Sequence, residues 1–568
     1  MKYARLIASA IIGFMVIGAT NFGHAASATE QLLGSNVSRA NSTIDSSVKI
    51  VCDSTGRDDS TACLQQKLRE LSGGGRLQIS GKYLISRDLI IPPGVSVEGD
   101  CAAPGTSGSN SNLKYLHSNC GVLNLDASAS VLLSAGSSIR AIQVLRAGME
   151  FPVNDSTAYS GTAIRIIGDD ATIDRITVLG FDRALYDDGF QRPSIHALYG
   201  DNNNGIELTH VYDVARISNC HMWPFATVAS RGDISKNQRN GVAYNLHDTV
   251  DGPVLVGNFS YGYRTGFRFS NVSTVSAVSN LADNTGKYLK SEGWHFDGNL
   301  NGFSGVGNAA WSQDTGALVD LNDGQVVNLI DMHFNHNSMH INVKGGNVRI
   351  FDSEFFYSKK LMSISNSNSI VSFDRNVIAD SEVGVSSAME TSNVIIGAGN
   401  IDLTPKKNAS LFSGELKLPQ LLLRESTSLP SYGEVFSMAG EGNLRHLHGG
   451  WAGRKVMLLF RDASVVYSDS DHDALFVSGG GNFRAQTGSV LELIYDGDRW
   501  FQAAVVAANH PVSVELKTVA TLPTCNQNTV GIEQMVTDAR APIYAQPLEG
   551  GGTVAVQAIC NGSDWTAH

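Results

Sequence analysis

The chain has 568 residues, with 54 acidic against 42 basic side chains and a formal charge of −12. That balance argues against a broad nucleic-acid or anionic-membrane surface. The length allows two or three domains, in a composition rich in glycine (58) and poor in proline (14).

In chain order, residues 1–5 carry Lys2 and Arg5, residues 6–19 are apolar, and Ala26-Ser27-Ala28 offers a small-residue cleavage site, with 23–25 as a rival. This is the pattern of a secretory signal peptide, 1–28. No other stretch approaches 18 apolar residues. The expectation is an exported, soluble protein, extracellular or periplasmic, without membrane insertion. Residues 29–47, rich in Ser, Asn and Thr, form a flexible leader. There are seven cysteines. An exported chain can keep them as disulfides, and sequence proximity pairs Cys52 with Cys63, Cys101 with Cys120 and Cys525 with Cys560. Cys220 is left over as a buried free thiol. No C-x2-C metal spacing occurs, so no metal ligand set is predicted.

Residues 50–100 are the first specific stretch. Asp58-Asp59-Ser60 precede a helical run at 61–71 with apolar Leu64, Leu68 and Leu71. The acidic and hydroxyl residues suit a helix N-terminus as caps. Strands are predicted at 76–79, 83–85, 89–91 and 95–97. The pattern D-x-x-G-x-D-D-S-x-A, then G-x-Y, then P-x-G-V-x-x-x-G falls on Asp53, Gly56, Asp58, Asp59, Ser60, Ala62, Gly81, Tyr83, Pro92 or Pro93, Gly94, Val95 and Gly99. It resembles the entry segment of the pectate-lyase-like superfamily. The resemblance implies a cap on a right-handed parallel β-helix and is nearly silent on chemistry.

Strands follow at 121–125, 131–134 and 139–145, and a coil at 163–181. Residues 182–204 and 226–240 read as polar loops that shape a cleft. From Gly205 to about Asn400 the sequence repeats, with coil starts at 205, 241, 266, 293, 316, 340 and 361. The first interval is 36 residues and the others are 21 to 27. The fourth position of each coil is apolar: Leu208, Tyr244, Phe269, Phe296, Val319, Val343, Ile364. An amide or carboxylate recurs later: Asn219, Asn258, Asn280, Asn308, Asp331, Asp352, Asp374. A period in the low twenties with short alternating runs predicts a β-solenoid, here an all-β helix over 48–407. The Asn/Asp column reads as turn residues. The runs ISNCHMWPF and YGY and the G-x-x-F coil starts resemble phage tailspike polysaccharide depolymerases, although this chain opens on a signal peptide. That resemblance implies a polysaccharide substrate and a homotrimer. Residues 408–510 read as a small β-sandwich or β-roll and 511–568 as a terminal β module, both similar to tailspike ends.

Alternation turns the third and fifth positions of each coil outward. Down the stack these are Glu207/Thr209, Ala243/Asn245, Arg268/Ser270, His295/Asp297, Leu318/Asp320 and Asn342/Lys344. With coils ~4.8 Å apart, Asp297 and Asp320 are neighbours, and His295 lies beside Arg268. Two carboxylates ~5 Å apart suit a retaining glycosidase. The same pair with Arg268 suits a lyase, in which carboxylates or Ca²⁺ neutralise a uronate and a basic group takes its C5 proton. Otherwise no cofactor is predicted. Glu207, Glu292 and Asp314 are reserve acids, and Lys344 adds a cation. Trp223, Tyr261, Tyr263 and Trp311 are candidate sugar platforms, with core or interface packing as the alternative. The expected function is cleavage of an extracellular polysaccharide by hydrolysis. A polysaccharide lyase and a non-catalytic binding or adhesion solenoid are the alternatives.

Overall fold

The computed structural model of the protein describes residues 52–101, 120–151, 153–227, 237–285, 290–387, 394–396, 400–403, 420–429, 434–440, 442–477, 480–506, 516–527 and 529–568. The signal peptide, the leader, most of the 226–240 loop and the 404–419 junction lie outside the described residues.

Strands Thr55–Asp59 through Ile401–Asp402 form one continuous parallel sheet wound into a β-helix. It has three faces. The first stacks Leu89–Ile91, Val131–Leu133, Thr162–Ile166, Arg183–Asp188 and Asn204–Thr209, then the opening halves of Arg239–Asp251, Tyr263–Val278 and Glu292–Val306, then Thr315–Leu321 and Met339–Gly345. The second runs through Arg216–Ser218, Val254–Val256 and Val326–Ile330. The third runs through His221–Met222, Phe259–Tyr261, Leu281–Asp283, Ala309–Trp311 and His333–Asn335. Short β-branched and aromatic runs alternate inward and outward on each face, so every coil buries its inner residues against the coils above and below.

The interior is a stack of like residues. Tyr244, Phe267 and Trp294 lie parallel, with ring centroids 4.6 and 4.4 Å apart. Phe269 and Phe296 continue alongside at 5.7 Å. At the corner between the second and third faces, Asn258, Asn280 and Asn308 form a buried amide ladder. Asn280 and Asn308 each accept the backbone N–H and side-chain N–H of the asparagine on the preceding rung, at 2.8–3.0 Å, and Asn258 accepts the Cys220 N–H at 3.0 Å.

The ladder corrects the predicted Asn/Asp column, which merged two positions. Asn219, Asp331 and Asp352 stand one residue earlier, at φ of 54°, 52° and 54°, in register with Gly257, Ser279 and Gly307. The left-handed position admits Asn, Asp and Gly, and the interior position suits an amide, which both donates and accepts. The interior column runs on through Met332 and Ser353, which interrupt the amides, to Asn376 and Asn400, and not through the aspartates.

Two further expectations are corrected. Residues 182–204 are not a loop but a full coil, with strands Arg183–Asp188 and Ser194–Asp201. The coil starting at Gly241 lies two residues off the expected frame: Tyr244 pairs with Ile206 and Phe267, and Leu246 with Leu208 and Phe269. Ala243, not Gly241, stands level with Gly205. At the carboxyl end, Gln420–Leu422, Val435–Ala439 and Lys455–Phe460 pair in parallel before an antiparallel hairpin, Val490–Tyr495 with Trp500–Val506. The β module expected there is thus a six-stranded sheet that joins coil-like parallel pairing to a hairpin. The last sheet is Leu516–Lys517, Glu533–Ala539, Val554–Cys560 and Trp565–Ala567.

The cap helix is Thr61–Glu70. Asp59 caps it, accepting from the Thr61 N–H at 3.0 Å. Asp58 does not. The second carboxylate at this turn is Asp53, which takes the Thr55, Arg57 and Asp58 amides and is held at about 2 chiefly by the Asp58 amide. Cys52–Cys63, Cys101–Cys120 and Cys525–Cys560 are disulfide-bonded, the pairing of a chain that matures outside the reducing cytoplasm. Cys220 is buried and free, its thiol pushed up to about 12 by burial. No helix among the described residues is long and apolar enough to cross a membrane.

Candidate functional site

The first face carries two outward columns. One is Glu207, Asn245, Arg268, His295, Leu318, Asn342 and Ser363. The other is Thr209, His247, Ser270, Asp297 and Asp320. The predicted outward register of Asp297 and Asp320 is the observed one, because Trp294, Phe296, Ala317 and Val319 are fully buried beneath it.

A relay of four side chains occupies the centre. Arg268 donates from Nη2 and Nε to Asp297 Oδ2 at 2.9 and 3.1 Å. His295 Nε2 lies 3.4 Å from the same oxygen, and its Nδ1 lies 2.8 Å from Glu292 Oε2. Thr265 Oγ1 donates to Glu292 Oε2 at 3.2 Å. In a regular strand, residues three apart point to opposite sides. Contact between Glu292 and His295 therefore requires a break in the alternation, and Gly293 lies between them. A Cβ there would come within 2.6 Å of the Gly316 carbonyl and 2.8 Å of the Ala310 Cβ. Burial pushes the Glu292 carboxyl up, but the bonds from His295 and Thr265 outweigh it and hold the group below the ordinary glutamate value.

Asp297 Oδ2 is fully engaged, and Oδ1 is buried with no hydrogen-bond partner. Asp320 sits on the next rung in the same register, exposed, with no partner among the described residues. Lys344 falls in a bulge, where Asp320 pairs with Gly345, so it is displaced from the Asp320 column. Asp314 accepts from the Lys290 N–H at 3.2 Å and thereby ties the turn before Glu292.

Glu207 lies three rungs from His295 and joins a separate relay. Arg183 Nε stands 2.7 Å from its Oε2, an ion pair without hydrogen-bond alignment. His247 Nε2 is 3.1 Å from Oε1, and His247 Nδ1 is 2.7 Å from Asp248. Asp248 and Thr249 both have positive φ, 51° and 72°, a strained bulge that swings Asp248 back onto the imidazole. Burial raises Glu207, but His247 and Arg183 bring it below its ordinary value; the Glu207 bond raises His247. Arg183, His247 and Asp248 were not anticipated, because the two-residue frame slip hid the column Thr209, His247, Ser270, Asp297.

The aromatic candidates are not at this site. Trp223, Tyr261 and Trp311 are half-buried on the third face, around the corner from Asp297. Tyr263 corrects its prediction. It is 2% exposed, its hydroxyl donates to the Asn202 carbonyl at 2.9 Å, and it presents no ring face to a sugar. Among the described residues, no group of three or more His, Cys, Asp or Glu is placed to hold a metal ion.

No family model and no curated protein matches the chain. Solved structures of similar fold include the catalytic unit of a GH87 α-1,3-glucanase from Streptomyces thermodiastaticus strain HF3-3. It shares 11% identity over 64% of this chain and 69% of that chain, with a TM-score of 0.42. DFA-IIIase from Arthrobacter chlorophenolicus A6 in complex with DFA-III shares 11% over 61% and 90%, at 0.38. The pre-mature gene product 12 of bacteriophage phi29 shares 13% over 70% and 61%, at 0.36. At these identities and scores the likeness says nothing of this chain's chemistry.

Proposed function

We propose that this protein is a depolymerase acting outside the cytoplasm, a glycoside hydrolase that cleaves an extracellular polysaccharide along its first face. The observation that carries the reading is the pair Asp297 and Asp320, outward, in one register, on adjacent rungs. Adjacent strands lie ~4.8 Å apart, close to the carboxyl separation of a retaining glycosidase. Arg268 grips Oδ2 of Asp297 and so orients the carboxylate; Oδ1 is buried, so attack on the anomeric carbon falls to Oδ2. Asp320, with no partner among the described residues, serves as the acid that protonates the leaving oxygen and then as the base that activates water. The outward columns extend over several rungs on either side of the pair, which suits a polymer lying along the helix axis.

The second reading is a lyase. It rests on Arg268 and His295 sitting side by side in the neighbouring column, where Arg268, or a Ca²⁺ ion, would neutralise a uronate while His295 takes the C5 proton.

Incubation with a panel of bacterial exo- and capsular polysaccharides tests the reading. New reducing ends without absorbance from unsaturated uronates support hydrolysis, and that absorbance supports the lyase. Retained binding with no change in polymer size refutes both and returns the adhesion solenoid.

A further inference from the structure

The third face carries a second outward surface unconnected with the relay. One of its columns is Tyr199, His221, Phe259, Leu281, Ala309 and His333. The other is Trp223, Tyr261, Asp283, Trp311, Asn335 and Phe356. The rings lean on one another along the strip: Trp223 to Tyr261 at 6.3 Å, His221 to Phe259 at 4.5 Å, Trp311 to His333 at 5.8 Å. Asp283 sits on the rung between Tyr261 and Trp311, so those two rings flank one carboxyl, each ~4.8 Å away along the stack.

Three polar groups on this strip are unspent. Trp311 Nε1 is buried without an acceptor. The Tyr261 hydroxyl has no partner among the described residues. The Asp283 carboxyl accepts only its neighbour's N–H, from Asn284 at 2.7 Å, and burial has pushed it up to about 6. An apolar protein partner would strand all three, at a cost for each. No lysine or arginine stands in either column, so among the described residues of the strip no cation faces an anionic polymer. Ring faces interleaved with a carboxyl, an indole N–H, a phenol and the Asn335 amide instead match a ligand that has C–H faces and hydroxyl edges.

We infer that the strip from Trp223 to Phe356, centred on Asp283, is a second, non-catalytic binding site for uncharged polysaccharide. It holds polymer on a face around the corner from Asp297 and stands whether or not Asp297 performs chemistry.

Affinity electrophoresis of the full chain tests this, in gels containing α-glucan, β-glucan, mannan or galactan, with polygalacturonate as the charged comparison. The Asp297→Asn/Asp320→Asn double variant should be retarded by at least one neutral polymer and not by polygalacturonate. Trp311→Ala and Tyr261→Ala, each with an unchanged circular dichroism spectrum, should raise the apparent Kd at least tenfold. Trp311→Phe should recover most of that loss. Cleavage of short oligosaccharides by Trp311→Ala should stay within twofold of wild type. Absence of retardation on every neutral polymer, or retardation untouched by both ring deletions, overturns the site. Loss of short-substrate cleavage in step with polymer binding would move the strip into the catalytic cleft and also overturn it. A protein that binds but never cleaves would refute the hydrolase reading alone.

Discussion

Replacing Asn280 by alanine should destabilise the solenoid far more than any change at the adjacent residue. Asn280 is 1% exposed. Its Oδ1 accepts the Asn258 N–H at 2.9 Å and the Asn258 Nδ2 at 2.8 Å, and its Nδ2 donates to the Leu255 carbonyl at 3.0 Å. Truncation leaves two donors and one acceptor unpaired in a dry corner. At ~1–3 kcal/mol each, with partial relaxation, the loss is about 4 kcal/mol. Ser279, one residue earlier at φ 54°, provides the contrast. Ser279→Gly relieves a left-handed residue and should be neutral or stabilising by up to about 1 kcal/mol. Urea unfolding followed by tryptophan fluorescence, with hydrogen exchange to locate the transition, measures both. If Asn280→Ala costs less than about 1 kcal/mol, or no more than Ser279→Ala, the ladder is not what fixes this corner.

Other outcomes are expected. Asp187 is fully buried in the core, with Oδ2 unpartnered and its carboxyl pushed up to about 7 by burial. A carboxyl raised in the folded state favours folding below its unfolded value, near 4, and that contribution is lost as pH rises to about 7. Asp187→Asn should therefore match wild type at pH 4 and exceed it by about 4 kcal/mol at pH 8. Equal stability profiles across that range would contradict this. Glu207 and Glu292 are held low, so their contribution is present above about pH 4.5 and fades below it; Glu292→Gln should blunt the acid side of the unfolding curve. The trimer that the tailspike resemblance implies has a face to use. Val256, Val278, Val306, Ile330 and Phe351 form one outward apolar column on the second face, with Val256 and Val306 39% and 36% exposed. Light scattering should show a trimer that Val306→Asp converts to monomer, and a wild-type monomer at micromolar concentration would refute it.

The sequence revealed the solenoid because alternation and a period in the low twenties survive loop changes. It revealed the outward register of Asp297 and Asp320 because large apolar residues alternate with them on both strands. Where it misled, a local signal served two masters. An asparagine fits both the left-handed turn and the buried ladder, so one column absorbed the other. Glycines mark coil starts only where no insertion precedes them, and the segment after Phe225 slipped the frame and hid His247. Polar composition made 182–204 read as a loop, although its apolar residues alternate enough to form the strands Arg183–Asp188 and Ser194–Asp201. The Glu292–His295 contact needed the break at Gly293, which alternation cannot foresee. Asp283 went unnoticed because one carboxyl between two aromatic rungs has no linear motif.

The most direct test is turnover by Asp297→Asn and Asp320→Asn on a polysaccharide that the wild type degrades. Stability should change little. Asp320 is exposed and unpartnered, and the part-exposed Arg268–Asp297 pair is worth about 1 kcal/mol or less. Each single variant should release reducing ends on the order of 10³-fold more slowly than wild type, with folding intact. Full activity in both variants would contradict the account and move the search to Glu207 and its relay.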